Sequence, residues 1–155
     1  MKRFFYLCFF LVLTATLSAQ TAGRLERMLE NRAINYGDAA LFVLEAAGVA
    51  DRQGPAVISS PDAAFRFAAQ QGWLPRNVSS ADQAKLRGVS LLVMKAFDIR
   101  GGIFYSIFQN PRYAYRELAA RGMFVGRVDP DMAVSGENFL FLLGRVLSHV
   151  EAGAI

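Results

Sequence analysis

A self-similarity of period 50 constrains this chain more than any other feature. Ile34-Asn35-Tyr36-Gly37-Asp38 aligns with Ala84-Lys85-Leu86-Arg87-Gly88 and with Val134-Ser135-Gly136-Glu137-Asn138, each set 50 residues after the last. A strongly apolar segment follows each one: Ala39 to Ala47, Val89 to Phe97, and Phe139 to Leu147. Within these, Leu41, Leu91 and Phe141 coincide, as do Val43, Val93 and Leu143. A second element recurs without a gap, Pro61-Asp62-Ala63-Ala64-Phe65-Arg66 over Pro111-Arg112-Tyr113-Ala114-Tyr115-Arg116. Gly72 then matches Gly122, and Val78 matches Val128. A period of this size marks stacked units, none of which can bury its apolar face alone.

Local signals make each unit a helix pair. Ser60-Pro61 and Asn110-Pro111 each place a capping side chain before a proline suited to the first helical position. Gly72 and Gly122 supply the left-handed residue that ends such a helix. The longer helices start near Asn35, near Ser80 to Lys85, and near Ser135, with capping-box spacing between Asn35 and Asp38. Arg24 to Arg32 reads as a short leading helix, and no stretch sustains the two-residue alternation of a strand. The expected fold is all-α: about two and a half helix-pair repeats, near 24–50, 60–99 and 110–151, around a shared bundle of three long helices. Leu41, Val43, Leu44, Leu91, Leu92, Val93, Leu140, Leu143 and Val146 are expected in its core.

Lys2 and Arg3, the apolar run Phe4 to Leu13, and the small residues up to Ala19 have the three-part layout of an export signal. The run of about ten residues is short of the roughly 20 that span a membrane. Residues 1–19 are thus expected to be a signal peptide, and 20–155 a single helical domain in the periplasm or elsewhere in the cell envelope. Cleavage would remove Cys8, the one cysteine, so the fold must rest on packing without disulfides. It would also reduce 17 basic residues to 15 against 13 acidic ones, halving the net charge of +4. No dense basic run points to nucleic acid.

The pattern resembles the S-layer homology repeat, a short helix ending in a Gly-aromatic turn followed by a long helix opening on a signature Ile-Thr-Arg-Ala-Glu. Ala68-Ala69-Gln70-Gln71-Gly72-Trp73-Leu74 is similar to the end of the short helix, Val134 to Phe139 to the signature, and Leu142 to Leu147 to the end of the long helix. The resemblance covers about 31–150. It implies a helical envelope module, with cell-wall polysaccharide or another envelope protein as partner. The family's ligand-binding arginine falls at Tyr36, Leu86 and Gly136, so no copy keeps it; Arg87 stands one residue late. The run Pro111 to Leu118, with Asp129-Pro130 and Ser135-Gly136-Glu137, is also similar to small exported spirochaete proteins.

No catalytic constellation is legible, so the chain is expected to be no enzyme and to hold no cofactor or metal. His149, beside Ser148 and Glu151, shares one helix with them, and such neighbours point in different directions. Asp129 and Asp131 around Pro130 read as a turn before a helix rather than a calcium site, which needs six or more oxygens. Candidate ligand-binding residues are Tyr36, Trp73, Arg87, Arg112 and Arg116. Trp73 either stacks on a sugar or plugs a gap beside the core. Arg112 and Arg116 lie four apart and could grip a carboxylate or phosphate, or simply cover a solvated face. Arg66 and Arg116 match across the repeat, which suggests a recurring ion pair. Ile103 to Phe108 is expected to be a buried connecting helix; exposed, it would serve an alternative function in protein interaction or membrane association.

Overall fold

The computed structural model describes residues 23–126 and 128–153. The expected signal peptide lies outside them. The described chain is all-α: α1 (23–30), α2 (Tyr36–Ala46), α3 (Val49–Gln53), a 3-10 turn (Pro55–Ile58), α4 (Pro61–Gln70), α5 (Leu86–Ala96), α6 (Ile103–Phe108), α7 (Pro111–Ala120) and α8 (Gly136–Glu151). Extended pairing among the described residues is confined to two isolated bridges, Asn35 with Gln83 and Lys85 with Ala133.

Helix ends follow their local chemistry. The Asn35 carboxamide oxygen accepts from Asp38 N at 2.7 Å, and its amide donates to the Asp38 carboxylate at 2.9 Å. This reciprocal pair satisfies one orphan donor of α2 and orients its cap. Ser60, Asn110 and Ser135 cap α4, α7 and α8 by the single bond, each accepting from the backbone amide three residues on. Lys85 precedes α5 without a side-chain cap. Gly72 and Gly122 take φ near +69° and +66°, and the next amides, Trp73 N and Met123 N, reach back to Ala68 O and Leu118 O. These are Schellman endings, and they turn the chain sharply after each short helix.

Packing joins each short helix to the long helix before it, α4 on α2 and α7 on α5. Ala64 and Ala68, one turn apart and fully buried, let α4 approach closely; Ala114 and Leu118 do the same for α7. α2 also packs on α5 and α8. Among the described residues no short helix follows α8, and Phe141 and Val150 are left exposed.

Three expectations need correction. Leu140 is half-buried, while Phe139 and Leu142 occupy the core, because α8 turns Phe139 edge-on to Phe42 of α2. Arg66 and Arg116 have no carboxylate within 4.0 Å among the described residues. The nearby acid, Glu117, is taken by Arg121 at 3.1 Å and by Gly102 N at 2.8 Å. Finally, α6 is not buried. Ile103, Phe104, Ile107 and Phe108 are 76, 62, 66 and 54 % exposed, and Tyr105 alone points into the core.

Candidate functional site

The three long-helix starts, where the resemblance would put a ligand, meet in the middle of the fold. Ile34 N donates to Val134 O at 2.9 Å, Val134 N to Ala84 O at 3.0 Å, and Ala84 N to Ile34 O at 2.8 Å, closing a ring of three backbone bonds. All three side chains are buried. The first amides of α2 and α5, and the leading amide of α8, are used as well. Tyr36 N and Gly37 N donate to Asp82 O and Ser80 O, Leu86 N and Arg87 N to Met132 O and Pro130 O, and Gly136 N to Asn31 O, all within 3.0 Å. A helix start attracts anions because its first amides lack partners. Here backbone carbonyls already hold them.

Side chains close the remaining space. Tyr36 is 2 % exposed, so it faces the core rather than a groove. Its hydroxyl accepts from Lys85 N at 3.3 Å, and its ring lies against Gly88. Leu86 fills the matching place beside Phe124, Val128, Met132 and Val134, leaving a cavity of about 10 Å³. That is room for about one water. At Gly136 the backbone of Met28 occupies the position, and an added Cβ would stand 2.6 Å from its carbonyl carbon.

The five sequence-derived residues do not converge on one site. Tyr36 and Arg87 are neighbours at the junction of α2 and α5, and Arg87 is turned to Asp131 at 3.0 Å. Asp131 follows a local turn in which its amide donates to the Asp129 carboxylate at 2.7 Å. Trp73 is half-buried, edge-on to Phe67 at 5.6 Å between centroids. Arg112 and Arg116 lie on the exposed side of α7, with the Arg116 guanidinium 5.9 Å from the Tyr113 ring centre. His149 Nδ1 stands 3.1 Å from Arg145 O of its own helix.

Two features escaped the sequence reading. A groove of about 350 Å³ runs beside α1, lined by Arg24, Arg27, Asn31, Asp38 and Phe42. Arg24 is held there by both oxygens of Glu45 at 3.1–3.2 Å and sits 5.2 Å over the Phe42 ring. The three-residue spacing of Arg24 and Arg27 on a helix was the available signal. The second is the stacking of Phe104 and Phe108 on Tyr113 of α7, at 5.9 and 5.3 Å between ring centres. Among the described residues no group of three His, Cys, Asp or Glu could hold a metal, and no helix is long and apolar enough to cross a membrane. Comparison of the chain with protein-family models, with curated proteins and with solved structures finds no match.

Two tyrosines carry a pH signature. Burial raises the Tyr36 phenol above its usual pKa, and burial followed by the Asp98 charge pushes Tyr105 up to about 12. Each therefore holds its proton more tightly when folded. The stability this gives is complete below about pH 10 and is lost as pH rises toward 12. The buried Tyr105 hydroxyl has no hydrogen-bond partner among the described residues. Tyr105→Phe should thus stabilise the protein by about 1 kcal/mol, the cost of an orphaned polar group. It should also make the alkaline loss of melting temperature shallower. Thermal melts from pH 8 to 12, with tyrosinate absorbance, check both; an equal or lower melting temperature at pH 8 would refute the first.

Proposed function

We propose that this chain is a non-enzymatic module of the cell envelope, a helical scaffold of about two and a half 50-residue units related to S-layer homology repeats. The observation that carries this reading is the closed ring joining Ile34, Ala84 and Val134, three backbones spaced 50 residues apart. The element starts keep the same interval, at Tyr36, Leu86 and Gly136 for the long helices and at Pro61 and Pro111 for the short ones. In this reading the long helices share one bundle, and the leader sends the mature chain to the periplasm or envelope surface.

The filled helix starts favour a scaffold over a polymer binder. Tyr36, Leu86 and the Met28 backbone stand where a polysaccharide would enter, and the leading amide of each long helix is spent internally. Another envelope protein is therefore the favoured partner over cell-wall polysaccharide. Fractionation, crosslinking and sedimentation with purified cell wall at low salt test this together. The chain should follow the envelope, crosslink to protein, and stay in the supernatant when mixed with wall alone. Retention by wall, weakened by Arg87→Ala, would restore the polymer reading, and recovery with cytosolic proteins would remove the envelope assignment.

A further inference from the structure

The exposed face of α6 is organised. Ile103 and Ile107 are one turn apart, as are Phe104 and Phe108, so the four side chains share one side of the helix. Both phenylalanine rings stack on Tyr113 of α7, at 5.9 and 5.3 Å between centroids and within 20° of parallel. Tyr105, on the opposite side, anchors α6 in the core. The two isoleucines are left outermost.

Cations border this face. Arg112 and Arg116 flank Tyr113 on α7, and both are exposed, with no carboxylate partner among the described residues. On the other flank, Lys95 and Arg100 line a second groove with Tyr105, Ser106 and Gln109, where Lys95 bonds the Gln109 carboxamide. The acids nearby are Asp98 in that groove and Glu117, which is neutralised by Arg121. The border is therefore net positive.

Two arguments choose the occupant. A second copy of the chain would bring the same cations face to face. One side of a six-residue helix also falls well short of the roughly 800 Å² per partner that stable protein interfaces bury. A lipid surface suits both properties: apolar tips enter the acyl boundary, an aromatic ring sits at headgroup level, and arginines meet phosphates. We propose that α6 docks the protein on an anionic lipid surface, inserting Ile103, Phe104, Ile107 and Phe108 while Arg112 and Arg116 engage lipid phosphates. This docking does not depend on the scaffold reading.

Amide hydrogen exchange of the full chain over 103–109 tests it, because that readout is confined to α6. With phosphatidylglycerol vesicles at low salt, exchange there should slow about tenfold; with phosphatidylcholine vesicles it should not change. Ile103→Ser with Ile107→Ser should abolish the slowing, and the fold should survive because both side chains are in solvent. Arg112→Ala with Arg116→Ala should weaken vesicle affinity on the order of thirtyfold. Unchanged exchange on phosphatidylglycerol, or equal slowing on phosphatidylcholine, overturns the proposal. So does slowing that rises with protein concentration without lipid, which would assign the face to a second copy.

Discussion

Gly136→Ala should lower the melting temperature by about 6–12 °C, although it adds a single methyl group and replaces glycine by the best helix former. The added carbon would land on the carbonyl of Met28, 2.6 Å from its carbon and nearer still to its oxygen. Backbone cannot rotate out of the way as a side chain can. Relief requires the end of α1 to lift from α8, breaking Gly136 N to Asn31 O at 2.8 Å and straining Asn31 N to Met28 O at 3.1 Å. Met28 is the one α1 side chain in the core, with Leu25 and Leu29 both exposed, so α1 should separate before the rest unfolds. Overpacking of 1–3 kcal/mol and one or two lost hydrogen bonds bring the total to about 3 kcal/mol. Thermal melts measure the sum, and fast amide exchange in 23–30 would locate it. Gly144→Ala is the control: it lies exposed in the same helix with nothing within 4 Å of the added carbon. That variant should gain about 0.5–1 kcal/mol. Equal melting temperatures for Gly136→Ala and the unsubstituted protein would refute the account.

Gly136 also marks the limit of what the sequence makes legible. Helix ends are local, so Asn35, Ser60, Asn110 and Ser135 could be read as caps, and Gly72 and Gly122 as stops, from a few neighbouring residues. The need for glycine at 136 comes from the backbone of Met28, which no local pattern reports. The same holds for α6. Six apolar residues after Gly101-Gly102 read as a buried helix in preference to an exposed one, yet periodicity cannot tell which elements will cover them. Only Tyr105 found cover, and the Phe104 and Phe108 rings settled on Tyr113 at the surface. The helical segment 49–58 escaped because Gly48 and Gly54, at φ of +63° and +93°, interrupt it and mask its pattern. For the candidate ligand residues, type and spacing were visible but direction was not. Arg112 and Arg116 point to solvent, whereas Tyr36, aligned with a ligand-binding position, points inward because Gly88 leaves it space.

That pairing of Tyr36 with Gly88 gives the second large effect. Tyr36→Ala should cost about 3–5 kcal/mol, as for other large aromatic side chains removed from a core. Gly88→Ala should cost about 2 kcal/mol, because its Cβ would lie 2.8 Å from the Tyr36 ring and 3.0 Å from Pro75 Cγ. In the double variant the methyl enters the space the ring has left, and alanine gains helix propensity within α5. The step from Gly88 to alanine should then cost roughly nothing, a coupling of about 2 kcal/mol. Urea unfolding of the four proteins measures it. Additivity within about 0.5 kcal/mol would mean that the ring does not press on Gly88. The single Tyr36→Ala value bears on function as well. A tyrosine kept for a ligand at an open helix start could be truncated with little loss of stability. A loss of several kcal/mol requires that it is a wedge between α2 and α5, which leaves the helix start for the fold's own use.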